Sequence, residues 1–186
     1  MEKSPGYTTE AMIEAPRRTP FVPNRIGTLA LYTVSTYSFE TGKTTSEGRV
    51  HDLSVAYGAS EQLWEDDNED EDAHDAVWIP GTDTQIMYLK SKDKGATEVR
   101  IADGADVKKE HETIEVIDAP ISNLKIKALD DGSIVFAVVG HVTTDGKLYN
   151  SKAAEKKKCT GRVFDTNTIR FVSPLHGPNP HTPPGR

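Results

Sequence analysis

The feature that most constrains this fold is a short run of residues with apolar side chains on both faces of a strand. The run extends from Leu29 to Val34. In an extended backbone, Leu29 and Leu31 lie on one face, while Tyr32 and Val34 lie on the other. A strand that is apolar on both faces has to be covered on both faces. A single hairpin cannot provide that cover, so we expect further sheets to stack against it.

This run belongs to a predicted hairpin within residues 16–53, which forms the first unit of the chain. The polar turn Phe39–Lys43 contains a glycine, and a second β-rich run follows from Ser46 to Leu53. Two β-rich runs joined by a Gly-containing loop are typical of a β-hairpin.

The same pattern, a Gly-containing turn before an apolar strand, occurs twice more. Its glycines, Gly27, Gly81 and Gly132, are separated by 54 residues (81 − 27) and 51 residues (132 − 81). We expect each strand to pair with a later one, at 47–53, 97–102 and Gly161–Phe164. A period of about 50 residues with several short strands per repeat is typical of β-propeller blades. The alternative is a β-sandwich that contains three unrelated hairpins.

We therefore predict an all-β fold, a partial β-propeller of about three blades of antiparallel sheet with a disordered acidic loop and a Pro-rich tail. The one short helix in the first part of the chain is predicted at Thr9–Glu14, with Thr9 as its cap. The predicted domain organisation is an N-terminal arm over 1–15, the partial propeller over 16–165 and an unstructured tail over 166–186. The blades are predicted near 16–58, 76–118 and 119–165, with an acidic insertion at 61–75.

The net charge of −7 is concentrated in one segment. Eight carboxylates and no Lys or Arg occur between positions 65 and 75, so the rest of the chain has a charge of −7 + 8 = +1. Such runs are usually solvated surface loops. The spacing does not match an EF-hand calcium loop starting at Asp66, because Glu71 stands where Gly is required and Val77 stands where Glu is required. We predict no metal site and no cofactor.

No residue pattern indicates catalytic machinery. The nearest match to a Gly-x-Ser-x-Gly elbow is Gly58-Ala59-Ser60-Glu61-Gln62, which lacks the second glycine and precedes no helix pattern. The single cysteine, Cys159, has no His–Cys arrangement that would indicate a nucleophile. The histidines are scattered along the chain, at His51, His74, His111, His141, His176 and His181.

Other classes of partner have little support in the sequence. No phosphate-binding loop is present, and Lys152–Lys158 is one short basic cluster in a net acidic chain. No apolar run is long enough to span a membrane. We therefore expect neither nucleic acid nor a membrane as a partner.

Several segments resemble fungal dipeptidyl-peptidase V, a family of prolyl-oligopeptidase-type serine peptidases. The most specific is Glu10–Arg18 followed by Gly27–Glu40. The resemblance extends over residues 9–165 and includes Lys92–Thr97, Pro120–Lys125, Leu129–Ser133 and Asp145–Asn150.

The resemblance implies an N-terminal β-propeller that caps an α/β-hydrolase domain. In the family, the propeller restricts access to a Ser-Asp-His triad, so that dipeptides are released from the N-terminus of short peptides. A peptide substrate and an extracellular location are therefore expected, although Met1–Gly6 lacks the apolar core of a signal peptide, which leaves cytoplasmic retention open. No position of this chain matches a triad residue. We predict no catalytic residue here, and the substrate-binding residues stay unassigned.

Two departures from the family pattern lead to further expectations. Gly48 occupies a strand position where the family usually has an aliphatic residue, which predicts weaker packing there. The family pattern stops after Asp165, and the Pro-rich end Pro178–Arg186 predicts a truncated product with a foreign tail.

The sequence thus favours an N-terminal propeller fragment that gates substrate access in a parent serine peptidase and is inactive alone. One alternative is a stand-alone, non-catalytic β-propeller-like module that binds a protein partner, and another is a non-functional remnant. Blades that do not close into a ring leave apolar faces and strand edges uncovered. We therefore also expect marginal stability or self-association through exposed blade faces.

Overall fold

The computed structural model describes residues 8–56, 58–64 and 72–150, together with the backbone of residues 168–175. Within these ranges the chain forms one α-helix (α1, Thr9–Glu14), one 3₁₀ turn (Asp93–Gly95) and twelve strands. Thr8, rather than the predicted Thr9, caps α1, because its hydroxyl accepts a hydrogen bond from the N–H of Ala11 at 3.2 Å. The strands are β1 Arg17–Arg18, β2 Val22–Pro23, β3 Leu29–Ser38, β4 Lys43–Asp52, β5 Ser60–Trp64, β6 Ala73–Trp78, β7 Gln85–Ser91, β8 Thr97–Asp103, β9 Glu112–Ile117, β10 Ile121–Ala128, β11 Ile134–His141 and β12 Thr168–Leu175.

The strands form three sheets that follow one another along the chain. The first sheet has the order β1-β3-β4-β5, with β2 also paired to β3. The second sheet has the order β6-β7-β8-β9, and the third has the order β10-β11-β12. All pairs are antiparallel. The predicted all-β partial propeller of about three blades is confirmed, and the described strands do not close into a ring.

Two clusters of buried side chains hold the sheets together. The first core, between the first and second sheets, contains Leu31, Val50, Leu63, Trp64, Ala73, Ile86, Tyr88, Ala102 and Val107. The second core, between the second and third sheets, contains Ile79, Met87, Leu89, Val99, Ile121, Leu124, Phe136 and Val138. The second sheet is therefore covered on both faces, as the blade of a propeller is.

Two strands fulfil the expectation of burial on both faces in different ways. In β7, Ile86 belongs to the first core and Met87 to the second, so each face is covered by a sheet. In β3, Leu31 belongs to the first core. Its neighbour Tyr32 is 6% exposed and stacks on the ring of Phe21, with centroids 4.3 Å apart. On the second face of β3, a loop residue therefore covers Tyr32 in place of a further sheet.

The three glycines of the repeat share a left-handed backbone. Gly27, Gly81 and Gly132 have φ of 72°, 84° and 80°, a conformation that glycine adopts without strain. The N–H of Gly27 donates to the C=O of Asn24 at 3.1 Å, and the N–H of Gly132 donates to that of Leu129 at 3.0 Å. The repeat detected in the sequence is thus a repeat of left-handed turn residues, and two of the three turns have the same hydrogen bond.

A turn of the first sheet is fastened to a turn of the second by a buried amide. The Nδ2 of Asn24 donates to the C=O of Asp83 at 2.6 Å, and its Oδ1 accepts from the N–H groups of Thr28 and Leu29 at 2.9 and 3.1 Å. Beside it, the Arg25 guanidinium donates to Oδ1 of Asp83 at 2.9 and 2.6 Å. We call this group the turn clamp.

The segment predicted as an unstructured tail contains β12, which pairs with β11 from Ile134↔Leu175 to His141↔Thr168. It takes the place of the predicted partner Gly161–Phe164, which lies outside the described residues. The prediction rested on the prolines after position 177. The preceding residues 168–175 are mostly β-branched, aromatic or aliphatic, and their one proline lies in an edge strand, where proline is tolerated.

Both ends of the predicted acidic insertion are strands. Leu63 and Trp64 end β5 and Ala73 begins β6, and these three residues are buried in the first core. Because burying these apolar side chains is favourable, both ends of the insertion form strands of the sheets. The carboxylates between positions 65 and 71 lie outside the described residues.

Candidate functional site

Ser60, the nearest sequence match to a nucleophile, lies at the start of β5 rather than on a strand-to-helix turn. Its Oγ accepts a hydrogen bond from Nη1 of Arg49 at 3.2 Å. Its cross-strand neighbour His51 meets the ring of Phe21 edge-on, and no hydrogen bond between His51 and Ser60 occurs in the described structure. A serine without an adjacent base is a weak nucleophile. The geometry therefore provides no activated serine at this position.

The other described histidines have structural contacts. Nε2 of His74 lies 3.2 Å from the C=O of Ile121, and His141 is exposed at the end of β11. Cys159, His176 and His181 lie outside the described residues. Among the residues that are described, no group of three or more His, Cys, Asp or Glu side chains could hold a metal ion.

A partly buried ionisable pair, Tyr88 and His111, joins β7 to the segment before β9. The Tyr88 hydroxyl donates to Nδ1 of His111 at 2.8 Å, while Nε2 of His111 donates to the C=O of Val107 at 3.1 Å. This pattern requires a neutral imidazole with its proton on Nε2. Burial raises the pKa of Tyr88 and lowers the pKa of His111, so both groups are held neutral. The Tyr88 ring stacks on that of Trp64, which ties the pair to the first core.

The second and third sheets meet at two β-bulges. The bulges interrupt β6 after His74 and β10 after Ser122. Asp75 and Asn123 lie in these bulges with φ of 56° and 58°, a left-handed backbone that Asp and Asn adopt more readily than other non-glycine residues do. The N–H of Asn123 donates to Oδ2 of Asp75 at 2.5 Å. This hydrogen bond joins the two bulges and fixes the contact between the sheets.

The outer face of the first sheet, opposite the first core, carries a cleft that we call the outer cleft. Its volume is about 260 Å³, and it is lined by Pro16, Arg18, Tyr32, Val34, Thr36, Glu47, Arg49 and Ser60. In the antiparallel register, Val34 pairs with Arg18 on one side and with Glu47 on the other, and Tyr32 pairs with Arg49. Paired residues project to the same face of a sheet, so three strands contribute to one polar surface.

The two guanidinium groups of the outer cleft differ in their partners. Arg49 donates from Nε and Nη2 to Oε2 of Glu47 at 2.9 and 2.6 Å and from Nη1 to Ser60. Arg18 is exposed and has no hydrogen-bond or ion-pair partner among the residues that the structure describes. With Glu47 compensating Arg49, the cleft has a net charge of +1.

Arg17, the sequence neighbour of Arg18, projects to the other face of β1. It lines a separate cleft of about 310 Å³ with Ile13, Ser35, Tyr37 and Thr44. Because consecutive residues of a strand alternate between its faces, the two arginines lie in different environments.

The polar groups of the outer cleft could not be predicted as neighbours from the sequence. Arg18 and Arg49 are 31 positions apart (49 − 18) and share a face only through the register of β1, β3 and β4. The available signal was the alternation Glu47, Arg49, His51 in a predicted strand, which places three ionisable groups on one face.

Comparison with known proteins places the chain beside fungal peptidases. It is 31% identical over 168 residues to probable dipeptidyl-peptidase 5 of Aspergillus terreus, covering 89% of this chain and 22% of the relative. It is 28% identical over 164 residues to dipeptidyl-peptidase 5 of Aspergillus oryzae, covering 87% of this chain and 22% of the relative. It is also 31% identical over 167 residues to dipeptidyl-peptidase 5 of Trichophyton equinum, covering 89% of this chain and 22% of the relative. The resemblance indicated by the sequence is confirmed, and the chain spans about a fifth of the length of the curated relatives it matches. No protein-family model matches the chain.

Solved structures with the same fold are also peptidases. Acylaminoacyl peptidase of Pyrococcus horikoshii superposes with a TM-score of 0.53 at 13% identity, covering 89% of this chain and 24% of that one. The apo isopeptidase AtxE2 has a TM-score of 0.53 at 14% identity, covering 95% of this chain and 32% of that one. At these identities the similarity shows a shared fold alone. In the described part of the chain, no helix combines the length and apolar character needed to cross a membrane.

Proposed function

We propose, from the similarity of this chain to dipeptidyl-peptidase 5 proteins, that it is the N-terminal propeller portion of a serine peptidase of that kind. The observation that carries the proposal is 31% identity over 89% of the chain to a relative of which only 22% is covered. In this proposal the parent enzyme releases N-terminal dipeptides from short peptides outside the cell. The three sheets restrict the access of substrates to the hydrolase domain of that enzyme.

A role in substrate access rather than in catalysis agrees with the chemistry of the described residues. Ser60 has no adjacent base, and His111 is engaged by Tyr88 and Val107. The two cores and the turn clamp instead make the three sheets a continuous stack. The chain therefore provides a scaffold for substrate access, and its partners in the parent enzyme are the peptide substrate and the hydrolase domain.

The decisive experiment exchanges segments between proteins. The segment of Aspergillus oryzae dipeptidyl-peptidase 5 that aligns with this chain is replaced by this chain, and hydrolysis of a dipeptidyl chromogenic substrate is measured. We expect the chimera to retain turnover and a variant with the segment deleted to lose it. A chimera that is folded but inactive, or a deletion variant that is fully active, would contradict the proposal.

The isolated chain provides the complementary measurement. We expect no hydrolysis of the dipeptidyl substrate, with or without a serine-hydrolase inactivator. If turnover occurs and the inactivator abolishes it, a serine of this chain is a nucleophile and the proposed scaffold role is wrong. The Ser60→Ala variant then tests whether Ser60 is that serine.

A second candidate function is a stand-alone, non-catalytic interaction module, and exposed apolar residues favour it. Phe21, Val22 and Ile26 are 48%, 53% and 51% exposed in and beside β2, in the first sheet. We propose that this surface supports self-association of the isolated chain. Sedimentation should show a concentration-dependent increase in mass, and the substitutions Val22→Ser and Ile26→Ser should reduce this increase. A monomer at all concentrations would exclude self-association.

A further inference from the structure

We propose that the outer cleft binds a single carboxylate group of a peptide, with Arg18 as the principal ligand. The carboxylate selectivity follows from the charges, the hydrogen-bond donors and the size of the cleft. The peptide context rests on the proposed function, in which peptides are the substrates.

Charge is distributed unequally in the outer cleft. The Arg49 guanidinium is held by Glu47 at 2.9 and 2.6 Å, and the pair is about one-third exposed. This pairing orients Arg49 and compensates its charge. Arg18 faces the same cleft without a partner in the described structure, so one positive charge is available to a ligand. A ligand with one negative charge neutralises the net charge of +1 in the cleft, whereas a dianion would leave an excess negative charge there.

The arginine side chain itself suits a carboxylate. A guanidinium presents a planar fork of N–H groups that matches the two oxygens of a carboxylate. Ser60 lies on β5, at the opposite edge of the sheet from β1, and its hydroxyl accepts a hydrogen bond from Arg49. Ser60 therefore helps to hold Arg49 in place, and Arg18 is the donor that is available to a ligand.

The size of the cleft limits what it can hold. A volume of about 260 Å³ lies just below the usual range of about 300–1,000 Å³ for small-molecule sites, so the cleft suits a chain end or a side chain. Tyr32 lines the cleft, is 6% exposed and stacks on Phe21 with centroids 4.3 Å apart, so it forms a fixed wall beside Arg18.

The test measures the binding of three matched peptides to the full chain by isothermal titration calorimetry at low salt. The first is N-acetyl-tetraalanine with a free C-terminal carboxylate, and the second is the same peptide with a C-terminal amide. The third is N-acetyl-Ala-Ala-Glu-Ala amide, which carries its carboxylate on a side chain. We expect the first or the third peptide to bind and the second to bind at least tenfold more weakly. The comparison of the first and third identifies the source of the carboxylate.

Arg17 provides a matched control for Arg18, because both are exposed arginines of β1 on opposite faces. We expect Arg18→Gln to weaken binding about tenfold or more and Arg17→Gln to change it less than about twofold. Circular dichroism during heating verifies that both variants fold.

Three outcomes would overturn the proposal: equal effects of the two substitutions, equal binding of the peptide acid and the peptide amide, or no binding of any peptide at millimolar concentration. Tighter binding of inorganic phosphate than of the peptide carboxylate would overturn the assignment to a single carboxylate. Negative results in these binding measurements would not change the expected outcome of the chimera experiment. The carboxylate site and the proposed propeller function are therefore tested separately.

Discussion

Gly48 illustrates how the absence of a side chain can be a packing requirement. The sequence predicted weaker packing at this position, and the structure shows that this prediction is wrong. The aromatic ring of Trp64 lies directly over Gly48, so that a β-carbon added there would be 2.3 Å from the ring. An aliphatic residue at position 48 would exclude Trp64 from the first core. The glycine and the tryptophan therefore form one packing unit.

The substitution Gly48→Ala should therefore lower the free energy of unfolding by about 2–3 kcal/mol, because an overpacked core forces side chains and backbone to move. Urea denaturation monitored by circular dichroism measures this change. The matched control is the same substitution in a Trp64→Leu background, in which the flat ring is missing. There we expect Gly48→Ala to cost less than about half as much, and an equal cost in both backgrounds would contradict the packing explanation.

His111 leads to a prediction about pH. Burial lowers its pKa, with smaller contributions from the nearby charges of Arg100 and Lys90, whereas the hydrogen bond to Val107 acts in the opposite direction. An unfolded histidine has a pKa near 6.5, so the unfolded chain binds more protons than the folded chain as the pH falls below about 7. Protonation also removes the acceptor for the Tyr88 hydroxyl. The stability from this group is therefore complete above about pH 7.5 and decreases as the pH falls through 6.5.

Unfolding free energies of the wild type and of His111→Gln, measured between pH 7.5 and 5, test this direction. We expect the wild type to lose more stability over this interval than the variant does. Hydrogen bonds from Ser54 and Thr143 lower the pKa values of Asp52 and Asp145. Because both pKa values lie below the ordinary aspartate value, the stability from these carboxylates is lost only at a pH more acidic than the measured window. Parallel profiles for the two proteins would exclude His111 as the source.

At the scale of elements, the turn clamp separates a buried hydrogen-bond network from an exposed ion pair. Asn24 is 4% exposed and bonds to groups in both turns, whereas Arg25 and Asp83 have side chains that are 62% and 43% exposed. We expect Asn24→Ala to cost about 2–3 kcal/mol, because buried backbone groups lose their partners. Arg25→Ala should cost less than about 1 kcal/mol, because exposed ion pairs are weak. Urea denaturation of both variants measures the difference, and equal costs would contradict this ranking.

Elements with a local signal were predictable from the sequence. Gly27, Gly81 and Gly132 were found because each turn needs a left-handed residue, and β3 was found from its apolar run. β12 was not predicted, because its pairing with β11 is a long-range contact and the later prolines dominated the composition. The outer cleft was missed for the same reason: which residues share a face depends on strand register, and no short segment of sequence contains that information.

At the scale of the whole molecule, the three sheets form a linear stack in which, among the residues whose side chains are described, only the second sheet contributes to both cores. In such arrays stability is approximately a sum of units and nearest-neighbour interfaces. Leu31 lies in the first core and Phe136 in the second, and they are 4% and 1% exposed. A cavity made in one core should therefore weaken the sheets beside it more than the sheet at the other end of the stack.

Amide hydrogen exchange of Leu31→Ala and Phe136→Ala tests this organisation. Each truncation should cost about 2–5 kcal/mol locally, because it removes a buried side chain and leaves a cavity. We expect Phe136→Ala to reduce amide protection in β10 and β11 and to leave β3 and β4 close to the wild type. Leu31→Ala should reduce protection in β3 and β4 and leave β10 and β11 close to the wild type. In both variants β7 should lose some protection, because it contributes Ile86 to the first core and Met87 to the second. A uniform loss across all three sheets would instead mean that the stack unfolds as a single unit and that its two interfaces are fully coupled.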